Sequence, residues 1–264
     1  MYSTTYILFL VWHILSIFTT ASYAKPISFS PQHLVESPTS PEEDLLKQPW
    51  IGELYGSDSN LNAEDKNAFK KTLQGVVLGA PLDANGGGFN AGLYELHEDY
   101  NGHKAGEVVV KCMPEPIDEK TWGEVKALKT VDYFIDSGLL FKPKAHGQHE
   151  DKPTPVILMK KIPGVIPAKT SLWKKGRVQK VKLANALKPK IKVEVVNWAV
   201  DKKILVSDFH LKNIHVVLTE KDATVESVSV LDFGFPGVYT VKPTVNKPEV
   251  EEWFEKRWKE RVIV

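Results

Sequence analysis

The chain has 264 residues, with 34 basic and 33 acidic side chains and a formal net charge of +1. That balance argues against a nucleic-acid-binding surface, and 25% charged against 42% hydrophobic residues describes an ordinary globular composition. A single cysteine, Cys112, excludes an internal disulfide. Taken in order, residues 1–24 carry no Lys, Arg, Asp or Glu. Their apolar run Tyr6–Phe18 ends at Ser22-Tyr23-Ala24, the small-residue spacing of a signal-peptidase site. The reading is a signal peptide, with a signal anchor as the alternative because the first residues lack a basic charge. No later stretch is apolar enough to span a bilayer, so no stable membrane association is expected after cleavage. An exported chain commonly carries disulfides, yet this one has neither a cysteine pair nor an N-x-S/T acceptor. Both absences suit a reducing destination such as the cytosol of another cell. A secreted protein that needs neither device fits equally.

Residues 25–68 read as a Ser/Pro-rich linker or pro-region. Its later part holds scattered apolar anchors, among them Trp50, Ile51, Leu54 and Leu61, which suggest a packed loop and a short helix from Asn62 or Ala63. Residues 69–264 are then the folded domain. Gly75–Gly79 reads as a strand, followed by a glycine cluster (Gly86, Gly87, Gly88, then Gly92) and renewed alternation from Leu93. Glycines allow close backbone approach and can aim N–H groups at phosphate oxygens. Val108-Val109-Val110-Lys111 is a β-branched run ending in a lysine, which is costly in a buried strand unless paired or functional. Asp118–Tyr133 has helical periodicity, with Trp122, Val125 and Leu128 on one face and Glu124 within it. Leu139–Ala145 and Pro155–Met159 read as two further strands that complete a small antiparallel sheet, the second leading through Lys160, Lys161 and Ile162 to Pro163-Gly164.

Residues 178–203 contain two apolar-periodic segments separated at Pro189. Ile214–Leu218 and Val228–Leu231 read as the strands of a hairpin. Asp208 and Asn213 lie on the loop entering it, and Asp232 lies just past it, so two carboxylates and an amide converge. Hard Mg²⁺ suits such oxygen donors and leaves phosphate and water to complete its shell. A closing helix is expected from about Pro248, its stripe Val250, Trp253, Phe254, Trp258 and Val262 capping the core of the small sheet.

Asp208-Phe209-His210-Leu211-Lys212-Asn213 followed by Asp232-Phe233-Gly234 resembles the catalytic loop and D-F-G segment of the protein-kinase-like superfamily. The resemblance covers roughly residues 75–235. It implies an α+β bilobal protein-kinase-like fold, with a small antiparallel-sheet N-lobe (about 70–160) and a truncated, mainly helical C-lobe (about 161–264). It further implies ATP and Mg²⁺ as cofactors. Lys111 would steady the α- and β-phosphates, held by Glu124, with Glu119 in reserve. Asn213 and Asp232 would hold the metal, and Asp208 would orient or deprotonate the acceptor hydroxyl. Gly86, Gly87, Gly88 and Gly92 would fold over the nucleotide, with Leu93, Val109 and Met159 around the base and backbone groups of Lys160, Lys161 and Ile162 bonding it. The sequence departs from protein kinases where Val206-Ser207 replaces His-Arg, where His210 replaces the lysine two residues after the aspartate, and where only 30 residues follow Gly234. His210 gives the D-x-H-x-x-N form found in aminoglycoside and choline kinases. The expectation is a monomeric, minimal effector-type kinase transferring phosphate to serine or threonine of a protein. A small-molecule acceptor and a non-catalytic binding module are the alternatives.

Overall fold

The computed structural model describes residues 46–83, 91–141, 152–219, 224–234 and 236–262. The expected signal peptide, residues 25–45 of the Ser/Pro-rich segment and Gly86–Gly88 lie outside the described residues. In chain order the elements are β1 (Ile51–Leu54), α1 (Ala63–Lys66), β2 (Leu78–Asp83), β3 (Gly92–Leu96), β4 (Val108–Cys112), α2 (Glu119–Thr130), β5 (Phe134–Leu140) and β6 (Thr154–Lys160). After these come α3 (Ser171–Lys174), α4 (Arg177–Asp201), β7 (Ile204–Val206), β8 (Ile214–Leu218), β9 (Val225–Val230), β10 (Val238–Val241) and α5 (Lys247–Arg261). The protein is therefore mixed α+β, with antiparallel sheets ordered β2-β3-β4-β6-β5, β1-β10-β7 and β8-β9. No helix among the described residues is long and apolar enough to cross a membrane.

The five-stranded sheet sorts the side chains of β4 by the period of two. Val108, Val110 and Cys112 enter a small core with Leu96, Leu140, Val156 and Leu158. Val109 and Lys111 take the other face. Register places Leu93 opposite Lys111, Lys111 opposite Ile157 and Val109 opposite Met159. Four side chains expected around a nucleotide (Leu93, Val109, Lys111, Met159) thus share one face of the sheet. Helix α2 connects β4 to β5. Asp118 caps its N-terminus, accepting from the Lys120 and Thr121 N–H groups at 3.1 and 3.2 Å. Asp132 in the left-handed region (φ 63) turns the chain out of it.

Four expectations are corrected. The second strand starts at Leu78 rather than Gly75, whose φ of 76 breaks extended geometry. It runs on through Pro81, which a sheet edge tolerates because no ladder donor is required there. The packed loop expected in the later part of residues 25–68 is partly a strand. Ile51–Leu54 pairs with β10, some 190 residues later in the chain, while Trp50, Tyr55 and Leu61 are buried and the short helix follows Asn62 as expected. Pro189 does not divide the helical stretch. It sits inside the 25-residue α4, where the loss of one backbone bond, about 3 kcal/mol, is offset by burial of Leu183, Leu187, Ile191, Val195 and Trp198. Finally, α5 does not cap the small sheet. It packs along α4 and beneath the loop after β7, where Phe209 stacks on Phe254 and Trp258 at centroid distances of 5.0 and 6.2 Å.

Candidate active site

Lys111 Nζ donates to Glu124 Oε1 at 2.5 Å, with side chains only 9% and 5% exposed. The ammonium and the carboxylate are each tolerable in the interior only because the other is present. Glu119, the reserve partner, is exposed on the first turn of α2 and plays no part. What seats Glu124 was not legible in the sequence. Gly123 lies so close to Gly56 that a Cβ at 123 would stand 2.4 Å from the Gly56 Cα. Two glycines, 67 residues apart, let α2 touch the turn after β1 backbone to backbone.

The loop after β7 is held from both sides. Ser207 donates its N–H and its hydroxyl to the Gly237 carbonyl, at 2.8 and 3.1 Å. Asn213 Nδ2 donates to the Asp208 carbonyl at 3.0 Å and lies 3.4 Å from Asp208 Oδ2. With its donor end turned to the loop, the Asn213 amide keeps Oδ1 as the atom that can meet a cation. His210 Nδ1 accepts the Lys212 N–H at 3.2 Å, which places the proton of a neutral ring on Nε2, 3.8 Å from Asp208 Oδ2. The hairpin then closes as expected. Ile214 faces Val230, and the Leu231 N–H donates to the Asn213 carbonyl at 2.7 Å, so Asp232 emerges beside Asn213.

Asp232 is exposed and left-handed (φ 65), its Oδ1 accepting the Gly234 N–H at 3.1 Å. A Cβ built on Gly234 would lie 3.0 Å from Asp232 Oδ1 and 3.6 Å from Glu124 Oε2. Gly234 therefore separates the buried Lys111–Glu124 pair from the Asp232 carboxylate by little more than one backbone width. Phe233 fixes that approach, its ring meeting Tyr133 and Trp198 edge-on at 5.7 and 5.5 Å. Lys111, Glu124, Asn213, Asp208 and Asp232 thus form one connected neighbourhood, although they span 122 residues of sequence. The Asp232 carboxylate and Asn213 Oδ1 are oxygen donors of the kind a divalent cation takes beside phosphate and water, although no cluster of three or more His, Cys, Asp or Glu side chains that could hold a metal is found among the described residues.

Around the strand exit the arrangement is narrower than expected. The Lys160 and Lys161 N–H groups donate to the Tyr133 and Glu107 carbonyls, at 2.8 and 2.7 Å, and the Ile162 carbonyl lies 3.2 Å from His215 Nδ1. Those three groups are engaged within the protein. Lys161 Nζ pairs with Glu95 at 2.8 Å. Gly92, the described member of the glycine cluster, has φ 128, and a Cβ there would stand 2.8 Å from the Tyr94 ring. Only glycine fits.

One group near the site was not anticipated. Glu194 of α4 accepts the Val230 N–H at 2.9 Å and the Tyr133 hydroxyl at 3.2 Å, joining α4 to β9 and to the exit of α2. Burial pushes its carboxyl up to about 7, against the relief from those two donors. The unfolded carboxyl titrates near 4.5. Between these values the folded state binds more proton than the unfolded state, so this group's contribution to stability falls as pH rises from about 4.5 to about 7. Glu194→Gln is expected to flatten that part of the profile and to raise the urea midpoint at about pH 8 more than at about pH 5. An unchanged pH slope would refute the assignment.

Two arginines of α5 reach this loop through tertiary packing alone, so nothing in the sequence places them here. Arg257, 1% exposed, donates from Nε to the Ser207 carbonyl at 3.2 Å. Arg261 Nη1 stands 3.9 Å from Asp208 Oδ1. No family model matches the chain, and no curated protein matches it.

Proposed function

We propose that the protein is an ATP- and Mg²⁺-dependent phosphotransferase of bilobal, protein-kinase-like architecture, acting on serine or threonine hydroxyls of proteins. The observation that carries this reading is the buried Lys111–Glu124 pair set against Asp232-Phe233-Gly234. A buried lysine–glutamate pair by itself is weak support for function, since structural pairs exist. One that meets an exposed acid and an adjacent amide at a hairpin mouth has a use in binding a triphosphate. Support for a small lobe comes from the five-stranded sheet with α2 crossing from β4 to β5, and for a helical lobe from α4 and α5.

In this reading Lys111 steadies the α- and β-phosphates while Glu124 holds its ammonium in place. Asn213 Oδ1 and the Asp232 carboxylate hold Mg²⁺, which supplies charge neutralisation on the phosphates. Asp208 orients the acceptor hydroxyl and receives its proton. Positioning and electrostatics supply most of the acceleration, and little covalent chemistry is asked of the protein. A small-molecule acceptor is the second reading, and His210 beside Asp208 is what favours it. Export, and action inside another cell, rest on residues 1–24 and on the lone buried Cys112.

The test is incubation of the purified protein with Mg²⁺ and γ-labelled ATP, alone and with a cell lysate or a panel of hydroxylated small molecules. Label is expected on protein, and Asp208→Ala is expected to lower it about 10²–10⁴-fold, the usual contribution of a general base. Label confined to a small molecule would select the second reading. ATP binding with no transfer to any acceptor would leave a non-catalytic binding module.

A further inference from the structure

We infer that Arg261, at the end of α5, is the cation that contacts the transferred phosphoryl group at Asp208, so that the last helix completes the site. The inference rests on the phosphotransferase reading and extends it. Helix α5 is locked to the loop in one register. Phe254 and Trp258 stack on Phe209, and Trp253 meets the same ring edge-on at 6.0 Å. Arg257, on that helix face, is bonded to the Ser207 carbonyl. One turn further on, the same face delivers Arg261 to the Asp208 carboxylate. Consecutive loop residues 207, 208 and 209 are therefore met by Arg257, Arg261 and the Phe254/Trp258 pair.

The electrostatic need is specific. A carboxylate that takes the acceptor proton must stand near the phosphoryl group, and two anions in such proximity repel, more strongly near a protein surface than in bulk water. Lys111 is engaged by Glu124 in the interior and serves the other end of the triphosphate. His210 stands where the related loops carry a lysine, and an imidazole is not a permanent cation. Arg261 supplies one. Arg261 Nη1 stands 3.9 Å from Asp208 Oδ1 and both side chains are 30% exposed, so incoming oxygens can approach the pair from solvent.

In the step itself, the acceptor oxygen forms a bond to the γ-phosphorus as the bond from that phosphorus to the β,γ-bridging oxygen breaks. ADP leaves with the bond's electron pair, and the hydroxyl proton passes to Asp208 and then to solvent. Arg261 offsets the charge on the γ-phosphoryl oxygens throughout. Arg257, buried and one turn away, is a positioning residue for the loop.

The test compares wild type, Arg261→Met and Arg261→Lys by calorimetric binding of Mg-ATP and Mg-ADP, melting temperature and single-turnover label transfer. Wild type is expected to prefer ATP. Arg261→Met should lose about tenfold of that preference with ADP affinity and melting temperature retained, and should transfer label about 10²–10³-fold more slowly. Arg261→Lys should recover part of both. If the methionine variant does not fold, the lysine variant alone decides by its ATP/ADP ratio. An unchanged ratio in a wild type that binds and transfers would remove Arg261 from the site and leave the phosphotransferase standing, as would faster transfer on losing Arg261. Absence of nucleotide binding by wild type would remove both readings together.

Discussion

Lys111→Met is expected to reduce phosphoryl transfer about 10²–10³-fold and to destabilise the protein by about 3–5 kcal/mol. The two effects have different origins. Transfer falls because the triphosphate loses its positioned ammonium. Stability falls because Glu124 remains, 5% exposed, as a buried carboxylate without its partner at 2.5 Å. Replacing both residues with apolar ones, as in Lys111→Met with Glu124→Leu, should restore much of the stability, since a well-packed apolar pair of similar volume is often as stable as a buried ion pair. It should restore none of the transfer. Urea unfolding and label transfer on the three variants separate these outcomes. Recovery of activity in the double variant would show the pair to be structural.

Phe254→Ala is expected to cost about 3–5 kcal/mol, through lost burial and the cavity left beneath the loop. Phe254 is fully buried, and its ring lies 5.0 Å from Phe209 and 5.7 Å from Trp258. Because that stack sets the register of Arg257 and Arg261 against Ser207 and Asp208, transfer should fall further than the loss of folded protein explains. Calorimetric melting together with label transfer per folded molecule measures both. Val193→Ala, at a 60% exposed position on α4, should change stability by no more than about 0.5 kcal/mol and leave transfer intact. Equal losses in the two variants would mean that α5 is a passive strut.

The polar residues were legible in sequence because their chemistry is conspicuous. A lysine closing a β-branched run violates the ordinary burial pattern, and two acids with an amide around one hairpin form a visible group of oxygen donors. The alternation of β4 and the caps and breaks around α2 were legible because they obey local periods of 2 and 3.6. The start of β2 was misplaced because edge strands are weakly specified by their own residues, and the continuity of α4 through Pro189 because tertiary burial overrode a local penalty.

The rest depended on surfaces that meet from far apart in the chain. A tryptophan–isoleucine pair at 50 and 51 says nothing of β10, nor does Gly56 announce Gly123. The apolar stripe of α5 was visible in sequence, yet a stripe specifies that a face is buried and not against what. Amino-acid order alone determined which side chains carry charge and which face of each element turns inward. Only the folded chain decided that the last helix lies beneath the Asp208 loop, because packing selects among equally apolar surfaces by shape, and shape is a property of the assembled core.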